Sequence, residues 1–429
     1  MRRREHDVVV IGAGAAGLTA TARLAHAQKD VLCLEATGRV GGRIFTVHDR
    51  LSPHPVELGA EFVHGLPQET WAWIRRAGLT VYEQSDEAVH LDSGQVVQIG
   101  DGAERLLSGI GEKKGRGLAE SFDDYLRRSR RPGDVREWAR AQVEGFNAAR
   151  SDLISTAALR QEARAATQIE GDRSFRILNG YDALPEAILR SIPEHEKVVQ
   201  LNCVVERVDW LRGYVEVRYR SVLDGELVTV KCPRLIVTVP LGVLQAGAIT
   251  FHPEPTAVLN AAASLQFGHV YRVTFRFAEP FWHEHEELRR AGFLLSKDPG
   301  FRAWWTTQPV ISPMLTGWSA GAAADLFRGM SHQQVIATAL QSLQRILGRK
   351  IPRPQAAWFH NWEQDPFFRG AYSYVPVHGE TAHKALATPL DDTLYFAGEA
   401  AESEGHASTV HGALRSGESV ATLVIQATR

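Results

Sequence analysis

The sequence predicts an α/β fold, in which a Rossmann-like nucleotide-binding domain is interleaved with a second domain of mixed sheet and helix. Three observations predict it. Gly12-Ala-Gly14-Ala-Ala-Gly17 stands between a short apolar run and a helix rich in small residues, and Glu35 ends the next apolar run. A second glycine turn leading into a helix lies near the other end, in the stretch from Tyr395 to Gly417, YFAGEAAESEGHASTVHGALRSG. Between the two, helical and strand-rich stretches alternate with neither a repeat nor a low-complexity linker, so the two domains take the chain in turns.

Taken in order, Val8 to Ile11 is a buried strand, Ala15 to Ala27 a helix with small residues on its packing face, and Val31 to Glu35 a second strand, which makes a βαβ unit. Arg2, Arg3 and Arg4 before the first apolar run give it the look of a signal peptide. The fingerprint position of Gly12, Gly14 and Gly17 reads it instead as a strand entering its helix. From Trp71 to Arg164 the chain is polar, with apolar residues at three and four spacing in Phe122 to Leu126 and Trp138 to Ala149, as in an inserted helical subdomain. Leu184 to Ile192 reads as a helix. Strands follow at Val198 to Val208, Tyr214 to Tyr219, Leu227 to Val230 and Leu235 to Val239, returning to the nucleotide domain. Val270 to Phe277, Ala303 to Trp305 and Leu315 to Ser319 read as strands and Ser331 to Leu347 as a helix of the second domain. Leu394 to Ala397 and the helix after His411 come back to the first.

With 429 residues, 44% of them hydrophobic, the chain can bury a large core. Its formal charge of -2, with arginines scattered among as many acids, offers no footprint for nucleic acid. Cys33, Cys203 and Cys232 each sit in a strand-like apolar run, where cysteine acts as a small buried hydrophobe, so no disulfide framework is expected. No run is long and apolar enough for a bilayer, and the expected compartment is the cytoplasm. The cluster from Trp282 to Glu287, WHEHEE, invites a metal reading. Adjacent side chains rarely converge on one ion, so it reads as a solvated loop and no metal is expected. The sequence assigns no oligomeric state.

The glycines carry distinct tasks: Gly12 permits the tight turn, Gly14 lets the backbone reach a pyrophosphate, and Gly17 allows close helix packing, while Glu35 can accept ribose hydroxyls. NAD and FAD both satisfy this much. Glu35 is followed by Ala36-Thr-Gly-Arg-Val-Gly-Gly-Arg43, in which a second glycine pair and Arg43 offer a fork-shaped cation to a diphosphate, a feature that favours FAD. In the C-terminal stretch, a strand end, a glycine turn and a helix start aim backbone N–H groups and a positive dipole end at one spot, suited to an anionic or electron-rich cofactor.

Five blocks then carry a resemblance: VVVIGAGAAGLTA, LEATGRVGGRI, VELGAEFVHG, NWEQDPFFRGAYSYVP and YFAGEAAESEGHASTVHGALRSG. With them the chain resembles the flavin-containing amine oxidase family from Val8 to Gly417, closest to its branch of polyamine oxidases and lysine-specific histone demethylases. The resemblance implies an FAD-binding domain made of residues 1–75, 175–255 and 388–429, and a substrate-binding domain made of 76–174 and 256–387. It implies FAD contacts at Gly12, Gly14, Ala16 and Gly17, at Glu35 and Ala36, and at Gly42 and Arg43, the last on the diphosphate. Gly59, Ala60, Glu61 and Phe62 should line the flavin, and Val205 should meet adenine through its backbone. Trp362 should lie close to the flavin, Glu399 near the ribityl-diphosphate, and Thr409 and Val410 at the isoalloxazine, with Gly398 and Ala413 as further cofactor contacts. The dipole argument agrees, because a helix N-terminus there favours the reduced, more negative cofactor.

The same resemblance places catalytic roles on His64, Trp362, Tyr372, Gln245 and Thr409. Tyr372 would line the amine's approach, with an aromatic face for residual positive charge. His64 would hydrogen-bond or handle a proton near neutral pH, and Glu144 could pair with a distal ammonium. Three departures matter. Ala371 stands where monoamine oxidases carry a flavin-linking cysteine, which implies non-covalent FAD. Thr409 stands where they carry a second cage tyrosine. Many relatives place a lysine after the PLGVL-like segment, whereas here Pro240 to Leu244 is followed by Gln245, whose amide could hold a water. The implied reaction is oxidation of an amine C–N bond, in a polyamine for preference, with hydride passing to flavin N5, hydrolysis of the imine and reduction of O2 to H2O2. The alternatives are an L-amino-acid oxidase, with Arg302 or Arg369 as carboxylate clamp, and a flavoprotein with poor oxidase activity for want of the lysine. A histone demethylase, a non-amine flavin oxidase and a flavin-stabilised interaction protein fit the residues less well.

Overall fold

The computed structural model describes residues 4–112 and 119–427. Its centre is a parallel five-stranded sheet in the order Val199–Gln200, Val31–Leu34, Val8–Ile11, Arg234–Val237, Leu394–Phe396. Parallel strands covered on both faces need side chains that are apolar in every position, and VVVI, VLCL and LYF meet that need. Val8 and Val10 point into one core with the helices Ala15–His26 and Val410–Gln426. Val9 and Ile11 point into the other, against the antiparallel strands Cys203–Leu211, Tyr214–Ser221 and Leu227–Cys232. The two helices cross so closely that a Cβ on Gly417 would lie 2.3 Å from the Ala16 carbonyl oxygen, which explains the small residues at that crossing.

A seven-stranded sheet stands apart from the first, in the order Ala356–Phe359, Val270–Arg276, Met314–Ala320, Ala303–Trp305, Phe293–Ser296, Ala88–Asp92, Gln95–Val96. The helix His332–Ile346 packs on it, started by a capping box between Ser331 and Gln334. The stretch read as an inserted helical subdomain, Trp71 to Arg164, holds the helices Gly102–Glu112, Phe122–Arg128, Gly133–Asn147 and Thr156–Gln168, but also strands, Ala88–Asp92 among them. That strand pairs in parallel with Phe293–Ser296, some two hundred residues on, and at its end with the short neighbour Gln95–Val96, so most of its extended form is selected by a remote partner.

Among the described residues no helix is long and apolar enough to cross a membrane, and no group of three or more His, Cys, Asp or Glu side chains could hold a metal ion. The stretch from Trp282 to Glu287 forms two short 3-10 turns. Its tryptophan is fully buried and anchors the loop, a role the reading as a solvated loop had overlooked, while four of its five polar residues are exposed.

Candidate active site

A single cavity of about 1190 Å³ runs from the C-terminal ends of the parallel strands to the helices Gly133–Asn147 and Thr156–Gln168. Its inner end is a backbone cradle. Gly12 has φ +101°, and a Cβ on Gly17 would lie 1.9 Å from the Gly12 carbonyl oxygen, so the turn closes only with glycine at both positions. The second glycine pair packs straight onto this turn, with Gly14 bridged to Gly41 and Gly42 beside it. Arg39 fixes that loop by donating to the carbonyls of Val40, Gly42 and Ile44. Glu35 is buried and accepts from the amides of Ala13 and Thr37 and from the Thr37 hydroxyl, leaving further lone pairs toward the cavity. A bulge between Val205 and Arg207 interrupts the ladder where Val205 lines the cavity.

The C-terminal segment closes the cradle from above. Gly398 has φ +135° and nothing within 4 Å of a Cβ position, so the space beside its backbone is left to the cavity. Glu399 is buried and binds Arg43 at 2.8 Å and the Ser373 hydroxyl at 2.6 Å. Burial alone would raise its carboxyl, but the Arg43 charge and these hydrogen bonds outweigh it and hold the group below the ordinary range. Arg43 also donates to the Ala371 carbonyl. Thr409 is the N-cap of the helix Val410–Gln426: its hydroxyl accepts from the Gly412 amide at 2.9 Å and donates to the His406 carbonyl at 2.6 Å. The Val410 and His411 amides have no acceptor among the described residues and lie at the cavity wall.

Beyond the cradle the wall is aromatic. Phe62, Phe293 and Trp305 form one cluster and Trp318 extends it. Tyr372 is fixed by its hydroxyl, which donates to the Phe146 carbonyl at 2.8 Å. Trp362 is buried, tied to the Leu58 carbonyl and packed edge-on against Phe368.

Matched against known proteins, residues 15–425 fit the model of the family described as flavin containing amine oxidoreductase. The chain belongs to this family. It is 28% identical to polyamine oxidase 2 of Arabidopsis thaliana over 453 residues, 97% of this chain and 87% of that protein. It is also 28% identical to lysine-specific histone demethylase 1 homolog 2 of Oryza sativa subsp. japonica, covering 99% of this chain but spanning only 58% of that relative's length. Among solved structures it resembles wild-type putrescine oxidase bound to putrescine, with a TM-score of 0.83 and 22% identity over 99% of this chain and all of that one. Cyclohexylamine oxidase from Brevibacterium oxydans IH-35A gives 0.82 and 20% with the same coverage. These two share the fold.

As a flavin-containing amine oxidoreductase the chain is an FAD enzyme, and the residues present fit that cofactor. The open space beside Gly398, the free amides of Val410 and His411, and the unspent donors of Arg43 suit a diphosphate and an electron-rich ring system. Of the cofactor residues expected from the sequence, Ala16, Ala36, Gly42, Gly59, Ala60, Glu61, Phe62 and Ala413 line this cavity with those already described, except Gly17, which packs behind the turn against Gly12 and Thr238.

Several expected roles change. Gln245 does not reach the cavity: it is exposed at the end of the short helix Leu241–Gln245, and its amide donates to the carbonyls of Ala262 and Leu265. It has no free donor to hold a water at the flavin. Gln245→Ala should therefore leave the rate of flavin reoxidation by O2 within about twofold of wild type, measured by stopped-flow after anaerobic reduction. A larger loss would return the residue to the site. The Thr409 hydroxyl is engaged in its cap, where its proton goes to the His406 carbonyl, so it has no proton left to offer a substrate. His64 lines the cavity beside Phe62 and Phe146, and burial pushes its imidazole down to about 4. It is neutral at physiological pH, a hydrogen-bonding group instead of a titrating one; Ser174 lies 3.4 Å from Nδ1. Glu144, offered by the sequence as a partner for a distal ammonium, is buried and already held by Ser151, with Arg302 at 3.6 Å.

The sequence reading also missed a buried cation. Arg272, at the centre of the strand Val270–Arg276, lines the cavity and donates to the Gly59 carbonyl at 2.8 Å and to Glu61 at 2.5 Å. Arg176 and the Trp305 indole bind the same Glu61 carboxylate. Two guanidiniums on one carboxylate leave a net positive charge under the segment Gly59 to Phe62. An arginine in the middle of the otherwise buried strand VYRVTFR was the signal available in the sequence.

Proposed function

We propose that the enzyme oxidises a C–N bond of a polyamine-class substrate beside non-covalently held FAD. The observation that supports this most is the change in character along one cavity. Aromatic rings line it next to the cradle, and beyond them the helices and adjoining loops present Asp86, Asp101, Glu104, Glu144, Glu162 and Asp172 against Arg302. An apolar reaction chamber with an acidic approach suits an amine carrying more than one positive charge.

Bound FAD supplies the two-electron acceptor. The chain's own groups prepare the amine: an alkylammonium has no lone pair to assist oxidation at the adjacent carbon, and the aromatic wall disfavours its charge by desolvation. The Tyr372 ring, immobilised through Phe146, orients the nitrogen and accepts residual positive charge on its face. Neutral His64 offers a hydrogen-bond acceptor or donor to the amine. Ala371 provides no thiol, so attachment is non-covalent. The products on this reading are an imine, hydrolysed to a carbonyl compound and a smaller amine, and H2O2 from O2. Residence in the cytoplasm and the division into two discontinuous domains at the boundaries given above belong to the same proposal.

An L-amino-acid oxidase is the second reading, favoured by Arg302, whose Nε is buried without a partner. Its charge is offset by Glu144, which supports a carboxylate clamp less well. Anaerobic addition of spermine, spermidine, acetylated polyamines, monoamines and L-amino acids decides between them. Bleaching of the flavin absorbance by polyamines is expected. A flavin left oxidised by every amine would overturn the proposal, and bleaching by L-amino acids alone would establish the second reading.

A further inference from the structure

We propose that Glu162, held by Asn147, is the anchor for a second ammonium group of the substrate; this rests on the amine-oxidising reading of the cavity. The argument is one of elimination among the carboxylates that line it. Glu35 is occupied by backbone amides, Glu61 by two arginines and an indole, Glu399 by Arg43 and Ser373, and Glu144 by Ser151 with Arg302 nearby. Asp86, Asp101, Glu104 and Asp172 are exposed, so water satisfies them. Glu162 is half-buried with only a neutral partner: its Oε2 accepts from the Asn147 side-chain amide at 2.7 Å, and it forms no ion pair among the described residues.

The effect of that environment is visible in the group itself. Burial lifts the carboxyl to about 7, the Asn147 hydrogen bond offsets this only in part, and no neighbouring charge contributes. A half-buried carboxyl that lacks a counter-charge gains most from a cation that a ligand delivers. The position is suitable. Glu162 lies on the helix Thr156–Gln168, and Asn147 follows Phe146, whose carbonyl fixes Tyr372 and whose ring packs against His64. The groups that face the reacting nitrogen and the group that would hold the second one therefore meet at one helix end.

The test uses dithionite-reduced holoenzyme, in which amines bind without turning over. A series of α,ω-diamines and spermidine is titrated by anaerobic calorimetry, each against the n-alkylamine of equal length. Wild type should prefer at least one diamine to its monoamine, and Glu162→Gln should shrink that preference by roughly 30-fold or more. At pH 6 the carboxyl is mostly protonated and a bound ammonium favours its ionised form. Diamine binding should then release up to about one proton more than monoamine binding, and the excess should vanish in Glu162→Gln. Glu162→Asp, which keeps the charge and draws it back, should restore a preference shifted toward longer diamines. Flavin content and melting temperature report that each variant is folded. No diamine preference in wild type, or an undiminished one in Glu162→Gln, overturns the assignment. Failure of the broader reading is separately visible, because then no amine bleaches the oxidised flavin.

Discussion

Glu61→Ala should be among the most damaging single substitutions in this enzyme, lowering the stability of the folded protein by about 3–5 kcal/mol. The carboxylate is buried and is the shared acceptor of Arg176, Arg272 and the Trp305 indole. Arginine cannot escape by losing its proton, so removing Glu61 leaves two cations in a water-poor site, with Arg272 almost wholly enclosed. Magnitude separates this network from the many ion pairs at the surface. Glu83→Gln, which breaks a well-formed but half-exposed pair with Arg173, should leave the melting transition nearly unmoved. Calorimetric melting of the two variants checks the contrast, and a Glu61→Ala protein that melts with wild type would show that the cluster is hydrated and cheap to break.

Gly17→Val should yield folded protein that is purified without its flavin. Any Cβ at this position lies 1.9 Å from the Gly12 carbonyl oxygen and 2.8 Å from the Thr238 hydroxyl, and neither can retreat, since Gly12 is held in a tight turn and Thr238 donates back to Ile11. Overpacking of this kind costs about 1–3 kcal/mol or more, which corresponds to about 5- to 150-fold in affinity if the turn opens to relieve it. Gly133→Ala, at a helix start with open space around it, serves as control and should keep full flavin content. The ratio of flavin to protein absorbance reads both, and stoichiometric flavin in Gly17→Val would refute the steric account of the turn.

Why was the cradle so legible in the sequence, and the far wall so little? Gly12, Gly14 and Gly17 announce themselves because the constraint on each is a backbone one, met within a few residues. Thr409 is likewise a local matter of helix capping. The cluster of Glu61, Arg176 and Arg272 is drawn from three segments widely separated in the chain, and nothing near any one of them names the other two. His64 reads as a histidine near neutrality until Phe62 and Phe146 enclose it, and Phe146 comes from a different element. Gln245 failed for a smaller reason: distance after Pro240 to Leu244 says nothing about which side of a one-turn helix a residue occupies. Glu144 and Glu162 look alike as helical acids, and only packing shows that one is already paired and the other is not.

The order of strands in the parallel sheet has a consequence for how the enzyme is made. Leu394–Phe396 lies beside Arg234–Val237, which lies beside Val8–Ile11, so the first and last stretches of the chain close on the same cradle. A ribosome has translated the glycine turn, the strand Cys203–Leu211 and the seven-stranded sheet before Gly398 and the helix Val410–Gln426 exist to complete the cradle. On the proposed placement of FAD, the cradle stays open during synthesis until the helix Val410–Gln426 emerges, so cofactor loading would be completed late.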